Sequence, residues 1–376
     1  MSMQNLSRRT WLALLAAMGL DRRRAVRGDV SPSGGDARWL DEVRQPPADV
    51  PADLPHLRPL LVDAAGQPVE TMDHWRQHRE VIRSTWLDFL GPLARQEPPA
   101  PAFEVVAEDR EAGVRRQLVR YAAEDGGETE AYLLGPEGWE EDEVPRPGVA
   151  VFHSTVRESI RQPAGVEGEP EKAFGLALAR RGFVAVCPRN FLWPQTLGIA
   201  ADEQTAAFQR RHPESRGMAR MLYDARQAVS LLAALPGVDP QQLSAVGHSL
   251  GGKEVLYLAA FDERVRCTVS SEGGIGTRYC NWDAPWYLGP DIRDPAFDGE
   301  HHEVLALAAP RAFLLVGGDG SDGARSWPFI EAVLPVWDLY GARNRLGLYN
   351  HRQGHAVPPE AERRIAEWIE VHGRTA

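Results

Sequence analysis

From Gly148 onward the chain alternates between short, mostly apolar runs and longer segments whose apolar residues recur at helical spacing. The short runs fall at 149–152, 183–186, 243–246, 265–270, 313–316 and 346–349. Continuous apolar runs of this length suit strands that are buried on both faces. Between them, the helical pattern centres on 171–181, 217–235, 253–260, 327–340 and 359–372. The second of these ends at Pro236-Gly237, a stop signal. Such alternation predicts an α/β architecture: a mostly parallel, doubly wound sheet with helices on both faces.

Upstream the pattern changes. Residues 71–90 predict a helix with Trp75, His78, Ile82, Trp86, Phe89 and Leu90 near one face. Segments 103–107, 114–121 and 130–134 are β-like and separated by turn residues, and the acidic run 137–147 predicts an exposed loop. Residues 21–60 are rich in Arg, Asp, Pro and Gly and predict an extended or partly disordered lead-in. The expected organisation is a signal-like segment at 1–30, an N-terminal extension with a helix at 31–100, and a catalytic domain at 101–376.

Composition narrows the function. The formal charge of −11 argues against nucleic acid or an anionic membrane as the main partner. Three cysteines cannot build a disulfide framework, and Cys187 and Cys267 sit in or beside predicted strands as small buried hydrophobes. No Cys/His spacing fits zinc, so neither metal nor cofactor is implied.

The start of the chain carries Ser7-Arg8-Arg9-Thr10-Trp11-Leu12 and an apolar run to Leu20 that is too short to span a bilayer. This resembles a twin-arginine export signal, which predicts a periplasmic or secreted protein. The alternative is a cytoplasmic protein with a frayed amphipathic helix there, since Arg22-Arg23-Arg24 follows and no Ala-x-Ala site is evident. No other stretch could cross a membrane, so no stable insertion is expected. The oligomeric state is left open.

The chemistry centres on Leu243-Ser-Ala-Val-Gly247-His248-Ser249-Leu250-Gly251-Gly252-Lys253. A strand runs into Gly-x-Ser-x-Gly and then into a helix, which places Ser249 on a tight, strained turn as a nucleophile. Serine needs a base, and His355 follows Gly354 in the segment after the last strand; His351 is assigned to ordering that segment. The chain order serine, acid, histidine points to Asp322 in the glycine-rich stretch 317–323 as the acid, with Asp319 and Glu272 as alternatives. Oxyanion donors are expected from the Leu250 amide and, after strand 149–152, from Thr155, with Ser154 close behind.

These residues resemble the α/β-hydrolase superfamily, and within it the acetyl xylan esterase and dienelactone hydrolase-like branch. The similarity covers about residues 70–372, on Gly-His-Ser-Leu-Gly-Gly, Asp239, the Asp319/Asp322 segment and Gly354-His355. It implies hydrolysis of carboxylic esters through an acyl-serine intermediate without a cofactor, on a small-molecule or carbohydrate ester. Local similarity to glucuronoyl esterases rests on Lys253, four residues after the nucleophile, and on Glu272-Gly273-Gly274. That family carries an arginine where this chain has Leu250. The resemblance makes Lys253 and Glu272 substrate-binding candidates. Trp282 and Trp327, in segments that follow strands, are expected to stack on sugar, with Trp193 and Trp286 behind them. The other readings are a serine peptidase of the prolyl oligopeptidase type and a hydrolase-fold binding protein that has lost activity.

Overall fold

The computed structural model describes residues 38–374 except 53, 55 and 195–197; the signal-like segment lies outside them. Three antiparallel strands come first: β1 (Phe103–Glu111), β2 (Val114–Ala122) and β3 (Glu128–Pro136). They continue into β4 (Arg146–Phe152), β5 (Val184–Pro188), β6 (Val238–His248), β7 (Val265–Ser271), β8 (Ala312–Asp319) and β9 (Leu346–Gly354). The sheet order is β1-β2-β3-β5-β4-β6-β7-β8-β9, with β4 to β9 parallel to one another and β3 antiparallel to β5.

The strand pattern explains the two cores. Side chains alternate across a sheet, so Val149, Val151, Val246, Val269, Leu314 and Val316 share one face. There they meet α3 (Phe174–Arg180) and α9 (Pro359–His372). Ala150, Phe152, Leu243 and Ala245 face the other way, onto α5 (Gly217–Ala234) and α6 (Leu250–Phe261). Phe313 and Leu315 on that side meet α8 (Trp327–Leu339). The expected helices on both faces are therefore present.

The expected helix at 71–90 is α2 (Met72–Leu90), which opens on the Thr71 side chain accepting the His74 N–H. Trp75, Ile82, Trp86 and Leu90 bury its inner face in a core shared with α6, α8 and the short α7 (His301–Ala306). From Arg38 the chain makes one compact unit, α2 included.

Two differences from the sequence reading have physical causes. The lead-in is not extended throughout: α1 (Trp39–Glu42) packs Trp39 edge-on to Tyr349 and beside Trp368, and the Val43 carbonyl accepts the Leu348 N–H. It therefore covers the exposed edge of β9, and buried Trp39 repays the ordering of a short polar helix. α4 (Ala201–Arg211) and α7 escaped the pattern. α4 buries only Thr205 and Phe208, so it has almost no apolar periodicity, and α7 is too short to show one.

Candidate active site

The turn between β6 and α6 is as tight as the motif requires. Ser249 has φ 58° and ψ −112°, outside the regions ordinary side chains prefer, at a cost on the order of 1–3 kcal/mol. A Cβ on Gly247 would lie 2.3 Å from the Gly251 backbone, and one on Gly251 would lie 2.3 Å from the Phe152 carbonyl oxygen. Only glycine fits at either position, and the second contact presses the end of β4 against the first turn of α6. The Ser249 N–H donates to the Ser271 carbonyl at 2.8 Å, tying the turn to β7. Leu250 opens the helix, so its N–H has no partner in the helix.

Around the serine, the structure brings three side chains into line. Ser249 Oγ lies 3.0 Å from His355 Nε2, and His355 Nδ1 lies 2.9 Å from Glu272 Oε2. His355 directly follows β9, while Glu272 sits just past β7 with φ 51°. The Glu272 side chain is fully buried, and its two oxygens also accept the N–H groups of Gly318 and Ser321. Those amides belong to the segment expected to supply the acid. A Cβ on Gly320 would lie 2.4 Å from Glu272 Oε2, so glycine there is what admits the carboxylate.

The carboxylate that meets the histidine is thus that of Glu272, carried as an alternative, and the first choice, Asp322, is corrected. Asp322 is buried, and its oxygens accept from Gly274 N–H at 2.6 Å, Ile275 N–H at 2.8 Å and Ser326 Oγ–H at 2.8 Å. Burial raises its pKa from the ordinary value, against the pull of those hydrogen bonds. It holds the backbone just beyond Glu272. Asp319 is also not at the histidine: it sits at φ 66° and accepts from the Asn350 side chain at 2.8 Å. His351 Nδ1 accepts the Gln353 N–H at 3.2 Å, inside its own segment.

His248, one residue before the serine, contacts the base from behind. Its Nε2 donates to the His355 main-chain carbonyl at 3.2 Å, and its Nδ1 accepts from Ser271 Oγ at 3.0 Å. Burial pushes its pKa well below the ordinary value, so the ring is neutral.

After β4, the Thr155 side chain is exposed, and its N–H makes no hydrogen bond among the described residues. The Ser154 N–H is already engaged, reaching Gln162 Oε1 at 3.4 Å.

The substrate-binding expectations need correction. Trp282 is fully buried and donates its Nε1–H to the Gly274 carbonyl at 2.7 Å. Trp327 is 4% exposed, and Trp193 is 2% exposed, donating to the Val156 carbonyl at 2.9 Å. These rings plug the core instead: Trp193 and Trp282 sit on loops that fold inward, and Trp327 is the first residue of α8. Lys253 is buried too. Its Nζ donates to the Gly273 carbonyl at 2.6 Å and sits 4.0 Å from the Trp282 ring centre. Burial lowers its pKa. Glu272 faces the histidine rather than open solvent. Among the described residues no group of three or more His, Cys, Asp or Glu is placed to hold a metal ion, and no helix is long and apolar enough to cross a membrane.

Comparison with known proteins bears on the fold that carries this site. The dienelactone hydrolase family model matches residues 130–293. The 4-O-methyl-glucuronoyl methylesterase 1 of Sodiomyces alcalophilus is 23% identical over 138 residues, which is 30% of this chain and 28% of that protein. The match therefore spans less than a third of that relative. Among solved structures, a glucuronoyl esterase from Solibacter usitatus superposes with a TM-score of 0.66 at 18% identity, covering 86% of this chain and 99% of its own. A candidate acetyl xylan esterase from Bacteroides fragilis gives 0.59 at 15% identity, covering 77% and 78%. The glucuronoyl esterase catalytic domain from Hypocrea jecorina gives 0.57 at 15% identity, covering 87% and 93%. The chain has the α/β-hydrolase fold, and its residues 130–293 are similar to the dienelactone hydrolase family.

Proposed function

We propose that this protein is a serine hydrolase of carboxylic esters, with Ser249 as nucleophile, His355 as general base and Glu272 as the acid that orients the base. The observation that carries the reading is the continuous line from Ser249 Oγ to His355 Nε2 at 3.0 Å and from His355 Nδ1 to Glu272 Oε2 at 2.9 Å. A positioned imidazole takes the serine proton as Oγ attacks the ester carbon, then returns it to the leaving alcohol. The Glu272 carboxylate fixes the proton on Nδ1 and stabilises the imidazolium that forms. The oxyanion meets the N–H groups of Leu250 and Thr155. Water then hydrolyses the acyl-serine by the same route in reverse, and no cofactor enters either step.

The substrate we assign is a carbohydrate-linked or other small ester. Fold relatives named as glucuronoyl esterases and a candidate acetyl xylan esterase support this class. A glucuronoyl-type activity is the second reading, favoured by the glucuronoyl methylesterase match. The same proposal places the protein outside the cytoplasm, supported by Arg8-Arg9 and the apolar run that follows.

Hydrolysis of p-nitrophenyl acetate by wild type and by Ser249→Ala tests the chemistry. The variant is expected to lose at least about 10³-fold in kcat, as removal of a nucleophile does. Equal rates would sink the reading. Acetylated xylan against a methyl glucuronate ester then separates the two substrate classes.

A further inference from the structure

The segment after β4 is held by unusually many groups for so short a turn, and all but one of them engage something other than a substrate. His153 is buried, and its Nδ1 lies 2.7 Å from the carbonyl oxygen of Ser154. A carbonyl can only accept, so Nδ1 carries the proton. The other nitrogen agrees: Nε2 accepts the Asn190 N–H at 3.2 Å and lies 3.1 Å from Ser159 Oγ, which donates to it. Ser159 itself is buried at φ 49°, a strained conformation that places its hydroxyl at the ring. The Val156 N–H adds a second donor to the same Ser154 carbonyl at 2.9 Å.

The Ser154 carbonyl and the Thr155 N–H belong to one planar trans peptide, so they point in opposite directions. Fixing the carbonyl on His153 therefore fixes where the Thr155 N–H points. That N–H has no partner among the described residues, whereas the Val156 carbonyl and the Ser154 N–H on either side are bonded to Trp193 and Gln162. The segment follows the strand end whose Phe152 carbonyl presses on Gly251, so it starts against the first turn of α6.

We propose that His153 is a positioning residue that sets the oxyanion hole in advance: by holding the Ser154 carbonyl inward it holds the Thr155 N–H toward the oxyanion. The proposal rests on the ester-hydrolase reading above. It assigns catalytic weight to a ring that touches neither substrate nor the reacting atoms. The neutral ring it requires is also what burial enforces, with a pKa lowered to about 4.

The test compares p-nitrophenyl acetate with the matching thionoester. Sulfur is a weaker acceptor and a poorer fit to N–H donors placed for oxygen, so the thionoester gains little from a preset hole. His153→Leu is expected to lower kcat on the oxygen ester about 10²-fold, the usual loss for one oxyanion donor, with KM within a few-fold. The thionoester rate should change far less, so the ratio of the two rates collapses. His153→Asn keeps an N–H near the place of Nδ1 and should restore most of the ratio. A role in packing alone would lower the melting temperature and move both substrates together.

An oxygen-to-thiono ratio in His153→Leu equal to that of wild type overturns the proposal. Should that variant not fold, Ser159→Ala removes only one partner of Nε2. It is expected to lower the ratio several-fold, and an unchanged ratio in the folded protein overturns the proposal equally. A Ser249→Ala protein as active as wild type overturns both this inference and the reading it rests on. An inactive Ser249→Ala beside an unchanged ratio overturns only the role of His153.

Discussion

The segments after β7 and β8 each bring a buried carboxyl to the top of the sheet, and the two do opposite work. Glu272, after β7, accepts from two backbone amides of its neighbour and presents its remaining reach to His355. Asp322, after β8, accepts from two backbone amides of the other segment and one hydroxyl, and faces no histidine. Each segment thus holds the other: Asp322 fixes Gly274 and Ile275, while Gly318 and Ser321 fix Glu272. Burial and hydrogen bonding alone do not mark the acid of a relay. What marks it is which carboxylate has an oxygen within hydrogen-bond reach of the base.

Breaking the first half of the pair should have the largest effect. Glu272→Gln keeps shape but loses the charge that orients the base and stabilises the imidazolium. It is expected to lower kcat about 10³–10⁴-fold with KM little changed, read from steady-state ester hydrolysis. Breaking the second half should act on stability. Asp322→Asn leaves one acceptor where two oxygens now hold three donors, and is expected to cost about 1–3 kcal/mol in denaturant unfolding, with kcat lowered less than about tenfold. The comparison would be reversed by the opposite result, a rate collapse at Asp322 with near-normal kcat at Glu272→Gln.

A third carboxyl sharpens the contrast. Glu254, on α6, is buried with one partner, Asn190 Nδ2 at 2.8 Å, and burial raises its pKa from 4.5 to about 8. The unfolded chain ionises this group more readily than the folded one. Its contribution to stability is therefore full below about pH 4.5, declines as pH rises, and is gone above about pH 8. Glu254→Gln removes that titration. Its melting temperature relative to wild type should rise by a few degrees between those limits and stay constant below them. A constant offset across the whole range would show that Glu254 does not behave as a buried neutral acid.

Much of this was legible along the chain. Apolar runs placed β4 to β9 and most helices, because strands buried on both faces and amphipathic helices must repeat their apolar residues at fixed periods. β6 starts at Val238, earlier than its apolar run, since Asp239, Gln241 and Gln242 lie at the rim of the sheet where polar residues are tolerated. Ser249 was readable from glycine spacing, because Gly247 and Gly251 are positions where any side chain would strike backbone, and His355 from its place after the last strand. The segment 317–323 was rightly picked out as part of the site but misread. Its glycines make room for a carboxylate supplied from elsewhere, and a sequence shows the glycine without showing what occupies the space.

The sequence by itself determined the order of the strands and of most helices, and picked out the proposed nucleophile and base, since each depends on local geometry or on a fixed place after a strand. Only the tertiary structure decided between Glu272, Asp319 and Asp322, turned the tryptophans inward, buried Lys253 and aimed the Thr155 amide. Those outcomes depend on which groups from distant segments converge. Glu272 and His355 are 83 residues apart in the chain and 2.9 Å apart in space. A hydrogen bond is decided within tenths of an ångström, a scale at which residue order carries no information.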